Sequence, residues 1–276
     1  MAKRISSTVL LWLILFAVLW FFRTAGALVA IVAVSVLTLR EFYRLMAAAG
    51  NAPFERLGLL FGGLITLAPW TEYRLHLPAH PLVALATVVF SIRILSERAQ
   101  EKRLEALTST LFGLVYVSLL LQYLVRIVTP VDGDGIAPDG RLVLCLWVVA
   151  VAKFCDVGAL LAGLAVGRHA MAPGISPKKT WEGAAGGVLL ATGVGALVFW
   201  LGRGVLPADM GPLRGALLAA PLAAVAIVSD LVESVIKRRA AQKDSGGGVP
   251  GIGGIFDLSD SLILAAPVGY FLLGLR

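Results

Sequence analysis

The sequence predicts an all-α fold, a polytopic integral membrane protein with about nine transmembrane helices, and three observations predict it. The 276 residues are 58% hydrophobic and only 15% charged, with a mean hydropathy of +0.88. That is more apolar surface than a water-soluble domain can cover. The apolar residues fall in runs of the length a bilayer's hydrocarbon core requires. Lys and Arg collect in the short segments between these runs, as loop charge does when it sets membrane orientation. No water reaches backbone amides at that depth, so each run satisfies its own hydrogen bonds as a helix.

The first run, 7–22, follows Lys3 and Arg4. It resembles a secretory signal but has no clear small-residue cleavage site, so it reads as a retained helix. The second, 25–39, is separated from it only by Arg23 and Thr24. The pair forms a tight hairpin or one bent unit, and the total is eight or nine accordingly. Further runs have their cores at 57–70, 80–95, 109–128, 141–165, 183–202, 213–236 and 256–275. Alternate connections are basic: Arg40, Arg44 and Arg56; Arg93, Arg98, Lys102 and Arg103; Arg168, Lys178 and Lys179; Lys237, Arg238, Arg239 and Lys243. The connection at 131–140, VDGDGIAPDG, is acidic. The positive-inside rule therefore places the N-terminus and the 229–261 segment on the cytoplasmic side. The whole reads as one continuous membrane domain, with N-terminal helices over 1–140 and a catalytic region over 141–276. The net charge of +7 belongs to these loops, so no nucleic-acid partner is expected. Cys145 and Cys155 lie in one apolar run without metal-ligand spacing and read as small buried hydrophobes.

Polar residues interrupt this pattern in two places. Lys153 and Asp156, three apart, share a helix face inside an apolar run. They form either a packing ion pair or the polar wall of a substrate cavity. Ser176-Pro177-Lys178-Lys179 follows. Ser before Pro suits an N-cap and first helical turn, and a helix N-terminus beside two lysines makes an anion site. The other reading of the lysines is ordinary loop charge. His169 reads as an interfacial residue rather than a base.

The richest segment is SDLVESVIKRRAAQKDSGGGVPGIGGIFDLSDS, residues 229–261. Ionisable groups at membrane depth are costly and mark ion sites or reaction centres. On a helix, Asp230, Ser234, Lys237 and Arg238 run along one side, with Glu233 adjacent. Lys243 and Asp244 follow, then a glycine-rich turn from Gly246 to Gly254, then Asp257 and Asp260. Mg²⁺ needs one or two carboxylates besides phosphate oxygens and waters, and Asp230 and Asp244 suit that role. Glycines such as Gly253 and Gly254 suit a loop over phosphate, although neither a Walker A nor a dinucleotide fingerprint is present. Three histidines, at 76, 80 and 169, leave little for a His-based triad. Metal-assisted phosphoryl or nucleotidyl transfer needs none.

With these residues in view, the chain resembles the phosphatidate cytidylyltransferases (CDP-diacylglycerol synthases). The family's closing signature is matched at Ser234, Lys237, Arg238, Lys243, Asp244, Pro250, Gly251, Gly253, Gly254, Asp257, Asp260 and Ser261, and its upstream pattern runs intact from Ser176 to Gly183. Two positions depart: Ile252 stands where the family has His, and Leu258 where it has Arg. The resemblance implies a bacterial inner-membrane enzyme, its active site facing the cytoplasm, that joins CTP to phosphatidic acid and releases pyrophosphate. It implies catalytic roles for Asp230, Asp244, Lys243, Ser234 and Lys237. Substrate would be held by Ser176, Lys178, Lys179, Arg238, Asp156, Gly253 and Gly254. Asp230 and Asp244 would hold Mg²⁺, with a second cation as an option, and Asp257 and Asp260 would support the metal ligands or the glycine turn. A homodimer among membrane lipids is implied as well. The alternative, from another class, is a catalytically weak or silent paralogue that binds or transports lipid or ions through Asp156, Asp230 and Glu233.

Overall fold

A computed structural model describes residues 2–77, 81–96, 103–247 and 253–275. Arg98, Lys102, Pro250, Gly251 and Ile252 lie outside the described residues. Among the described residues, six helices are long and apolar enough to cross a membrane. The all-α polytopic fold is therefore what the chain adopts. Helix α1 (Ala2–Ala48) takes in both of the first two runs and leaves helical geometry at Arg23 alone, at φ 48 and ψ −131. The bend is sharp. A Cβ on Gly26 would stand 2.8 Å from the carbonyl oxygen of Val18, eight residues earlier, so glycine is needed there. The 57–70 run becomes α2 (Glu55–Leu75), which ends in a turn holding Glu72 and Arg74. The next becomes α3 (Pro81–Arg93), of only 13 residues. These two are not among the six.

Two compact units form. The first takes Met1–Arg126 with Ile236–Ser259, the second Ile127–Val235 with Asp260–Arg276. In the first, α4 (Arg103–Gly113) and α5 (Leu120–Val128) are joined by a wider π-helical turn, Leu114–Leu119. Its core is aromatic: Phe42, fully buried, packs on Phe112, Tyr116 and Phe256. Buried hydroxyls bond one another rather than lipid, with Ser35 to Thr66 at 2.7 Å and Thr38 to Ser259 at 2.7 Å. An unmade bond there costs more than a made one gains.

The second unit is built on α6 (Pro138–Val166), α7 (Trp181–Leu201) and most of α8 (Pro212–Arg239). Helices α6 and α7 meet backbone to backbone: a Cβ on Gly158 would lie 2.8 Å from the Gly186 carbonyl, and one on Gly187 2.7 Å from that of Cys155. Small residues allow such contact where lipid supplies no hydrophobic drive. Trp147 and Phe199 fill the space beside it, with ring centroids 5.4 Å apart. Arg141, fully buried, pairs with Asp134 and donates to the Ile127 carbonyl.

Between α6 and α7 the sequence reading needs correction. Ser176-Pro177 does not open a helix. Residues Ala170–Ala172 (β1) and Ser176–Thr180 (β2) form an antiparallel hairpin. Helix α7 starts at Trp181 with Thr180 as its N-cap, whose hydroxyl accepts from Gly183 N–H at 3.1 Å. Strand pairing takes up the backbone that a helix would have used, and Thr180 competes successfully for the cap.

Candidate active site

Ionisable groups collect in the second unit around α6, α8 and the start of α9 (Ile255–Leu272). Lys153 Nζ lies 3.1 Å from Asp156 Oδ2 and 3.3 Å from Asp260 Oδ1. Asp156 also accepts from Ser261 Oγ at 2.9 Å, and Asp260 from Ser261 N–H at 2.6 Å. Ser229 donates its hydroxyl to the Asp260 carbonyl and accepts from Leu264 N–H at 3.2 Å, tying α8 to α9. Beyond this, carboxylate oxygens of Asp230, Glu233 and Asp260 all lie within 4.8 Å of one another. Glu233 is fully buried. Lys179 closes the group with its Nζ 2.7 Å from Asp230 Oδ2. Successive strand side chains alternate in direction, so Lys179 is half-buried while Lys178 is exposed.

With every group ionised, four carboxylates (Asp156, Asp230, Glu233, Asp260) face two ammonium groups (Lys153, Lys179), a formal charge of −2. Such a cluster of hard oxygen donors with a double negative excess suits a divalent cation such as Mg²⁺. Close carboxylates left uncompensated would repel one another.

The first unit holds a second polar group where α8 ends and α9 begins. Lys237 Nζ is 2.7 Å from Asp257 Oδ1. Asp257 Oδ2 accepts from Gly254 N–H (2.7 Å), Ser245 N–H (3.0 Å) and Ser245 Oγ (2.9 Å). Gly253, at φ 127, needs its missing side chain, because a Cβ would run into Asp257. Lys243 and Asp244 sit on an exposed turn just before Ser245, and Arg238 is exposed at the end of α8. Ser234, buried, lies beside Glu233 on α8, and Ser176 opens β2. Leu258 is half-buried in the first turn of α9.

The structure thus gathers Asp156, Asp230, Asp260 and Lys179 into one group, and Lys237, Asp257, Gly253 and Gly254 into another. Among the described residues the carboxylate cluster consists of Asp230, Glu233 and Asp260 and does not include Asp244. Two further ionisable residues join these groups: Lys153, read from sequence only as the partner of Asp156 or part of a polar wall, and Glu41, which was not singled out. Lys153 bridges two carboxylates. Glu41, the only acidic residue of α1, accepts from Ser245 Oγ and from Phe256 N–H, both at 2.8 Å. Its signal was available: a lone carboxylate closing a long apolar run.

Comparison with known proteins points the same way. The sequence model of the cytidylyltransferase family matches residues 2–275. A phosphatidate cytidylyltransferase of Synechocystis is 31% identical over 301 aligned positions, covering 98% of this chain and 95% of that protein. One from Mycobacterium leprae is 35% identical over 61% of this chain and 50% of its own length. The chloroplastic phosphatidate cytidylyltransferase 5 of Arabidopsis thaliana is 32% identical over 88% of this chain and 64% of its own length. A multi-pass membrane fold, the polar groups on α6, α8 and α9, and a match running almost end to end agree: the chain belongs to the cytidylyltransferase family.

Proposed function

We propose that this protein is a phosphatidate cytidylyltransferase that makes CDP-diacylglycerol and pyrophosphate from CTP and phosphatidic acid. The observation that carries the proposal is the relationship to the Synechocystis enzyme over nearly the full length of both chains. Its chemical support is the cluster of Asp230, Glu233 and Asp260 beside Lys153 and Lys179.

The reaction is a substitution at phosphorus. A phosphate oxygen of phosphatidate forms a bond to the α-phosphorus of CTP, and the bond to the bridging oxygen of the β-phosphate breaks, releasing pyrophosphate. Phosphatidate is anionic at neutral pH, so no strong base is required. Lys178, Lys179, Lys237, Arg238 and Lys243 bind phosphate oxygens and offset the charge that gathers on them. Ser176 and Ser234 donate hydrogen bonds to the same class of acceptor. Asp230, Glu233 and Asp260 would hold Mg²⁺, which supplies Lewis-acid neutralisation of phosphate charge when bound. Asp244, on its exposed turn, acts with Lys243 on the nucleotide phosphates and their cation. The basic connections support a cytoplasmic face for these residues, and the proposed location is a bacterial inner membrane. The proposal extends to a homodimer, which light scattering on the detergent-solubilised protein checks.

The test is product formation by purified protein in liposomes with CTP, phosphatidic acid and Mg²⁺. Labelled CDP-diacylglycerol is expected to form, to require the divalent cation, and to disappear in Asp244→Asn with the fold intact. A well-folded wild type that makes no product overturns the assignment. Near-normal turnover in Asp244→Asn removes Asp244 from the mechanism.

A further inference from the structure

Glu41 has no part in the chemistry above, yet its position is tightly specified. It reaches from α1 to the opening of α9, where Phe256 N–H is one of the amide groups that a helix cannot satisfy internally. Its Oε2 takes that bond and the Ser245 hydroxyl as well. Asp257 takes the N–H groups of Ser245 and Gly254 from the other side. Two carboxylates, from α1 and α9, thus hold one serine, whose single hydroxyl proton lies within reach of both. Negative charge at a helix N-terminus is favoured by the helix dipole.

The space is specified too. A Cβ on Gly246 would stand 3.0 Å from Glu41 Oε1, and one on Gly254 would fall on Glu41 Oε2 and Ser245 Oγ. Glu41 therefore sits against backbone at Gly246 and Gly254. Such contact needs glycine at Gly254, whereas a Cβ on Gly246 would ask the Glu41 carboxylate to give by a few tenths of an ångström. A partly buried carboxylate is costly unless hydrogen-bonded, and here the bonds all go to the segment beginning two residues after Lys243.

We propose that Glu41 is a positioning residue for the reaction. It fixes Ser245 against the first turn of α9 and so sets where the adjoining Lys243 and Asp244 stand. The inference rests on the reading that Lys243 and Asp244 handle the nucleotide phosphates.

Two measurements on Glu41→Ala and Glu41→Gln test it. Hydrogen–deuterium exchange of the peptide spanning 243–258, in detergent and without substrate, reads the clamp directly. Loss of two charge-assisted bonds is expected to speed exchange at Phe256 and Ser245 by roughly tenfold or more in Glu41→Ala. Glu41→Gln, which keeps an acceptor oxygen, should stay within about threefold of wild type on the same scale. Kinetics read the consequence. In Glu41→Ala, kcat/KM for CTP is expected to fall about 10- to 100-fold while KM for phosphatidate is unchanged, with substantial recovery in Glu41→Gln. Unchanged exchange in Glu41→Ala overturns the clamp. Accelerated exchange with unaltered CTP kinetics overturns the positioning role. Should Glu41→Ala not fold, Ser245→Ala removes the Ser245–Glu41 bond from its other end while Phe256 N–H keeps its acceptor. Faster exchange around residue 245 and a fall in kcat/KM for CTP are then expected, and the absence of either overturns the proposal. If the wild type makes no product, the functional reading fails, while the exchange arm still decides the clamp.

Discussion

Replacing Lys153 by methionine removes the cation that lies between Asp156 and Asp260 at 3.1 and 3.3 Å and leaves both carboxylates inside an apolar unit. At an effective dielectric of about 20, each contact is a gross attraction of about 5 kcal/mol. Most of this is offset by the cost of taking the three charges out of water. Removing one partner leaves that cost standing, and the net loss is about 3–5 kcal/mol. The formal charge of the cluster also moves from −2 to −3. For a chain of this size about 2–4 °C is lost per kcal/mol, so the unfolding midpoint should fall by about 6–20 °C. The protein carries its own reporters: Cys145 and Cys155 are buried free thiols, and a thiol-reactive fluorophore in detergent lights up as they are exposed on heating. Lys153→Met with Asp156→Asn restores the formal charge to −2 and should recover at least half of the loss. A midpoint within about 2 °C of wild type in Lys153→Met would refute the reasoning. So would a double variant whose loss equals the sum of the two single losses, because groups in one network do not act additively.

Two more predictions are open to the same preparation. Gly254→Ala places a methyl group on Glu41 and Ser245. It should lower CDP-diacylglycerol formation by about tenfold or more, and wild-type rates in that variant would show that the turn has room to give. Lys179→Met takes away the ammonium 2.7 Å from Asp230 and makes the cluster more negative by one charge. Thermal stabilisation by Mg²⁺ should then reach half its maximum at a lower Mg²⁺ concentration, whereas CTP should bind more weakly. An unmoved Mg²⁺ midpoint would separate Lys179 from the metal site.

Much of the fold was legible because a bilayer enforces simple rules. Runs such as 141–165 and 183–202 had to become helices, and they appear as α6 and α7. The break at Arg23 was visible as the only polar pair in a long apolar stretch, though its sharpness depends on Gly26 and could not be read from hydropathy. The hairpin at 170–180 was missed because its residues carry no alternation, and Ser-Pro is as good an opening for a helix as for a strand. The polar groups on α6 and α8 were legible as misplaced charges. The Lys153–Asp156 pair was legible too, but the long-range pairing was not. Lys153 meets Asp260 across 107 residues of sequence, and no local spacing encodes that contact. Glu41 was overlooked for a related reason, since its partners lie 204 and 215 residues away. It stood outside the segment where chemistry was expected.

The Lys153–Asp156–Asp260 arrangement also bears on how the chain enters the membrane. Helix α6 is delivered to the bilayer before Asp260 exists, because synthesis of the intervening 107 residues takes roughly 5–20 s. A single charged residue at the centre of an inserting helix costs about 2.5–3.5 kcal/mol. Asp156 stands three residues from Lys153 and on the same helix face, so the ion pair is complete within the inserting segment itself. The nascent helix thus enters nearly neutral, and α9, arriving later, brings the second carboxylate to a lysine already in place.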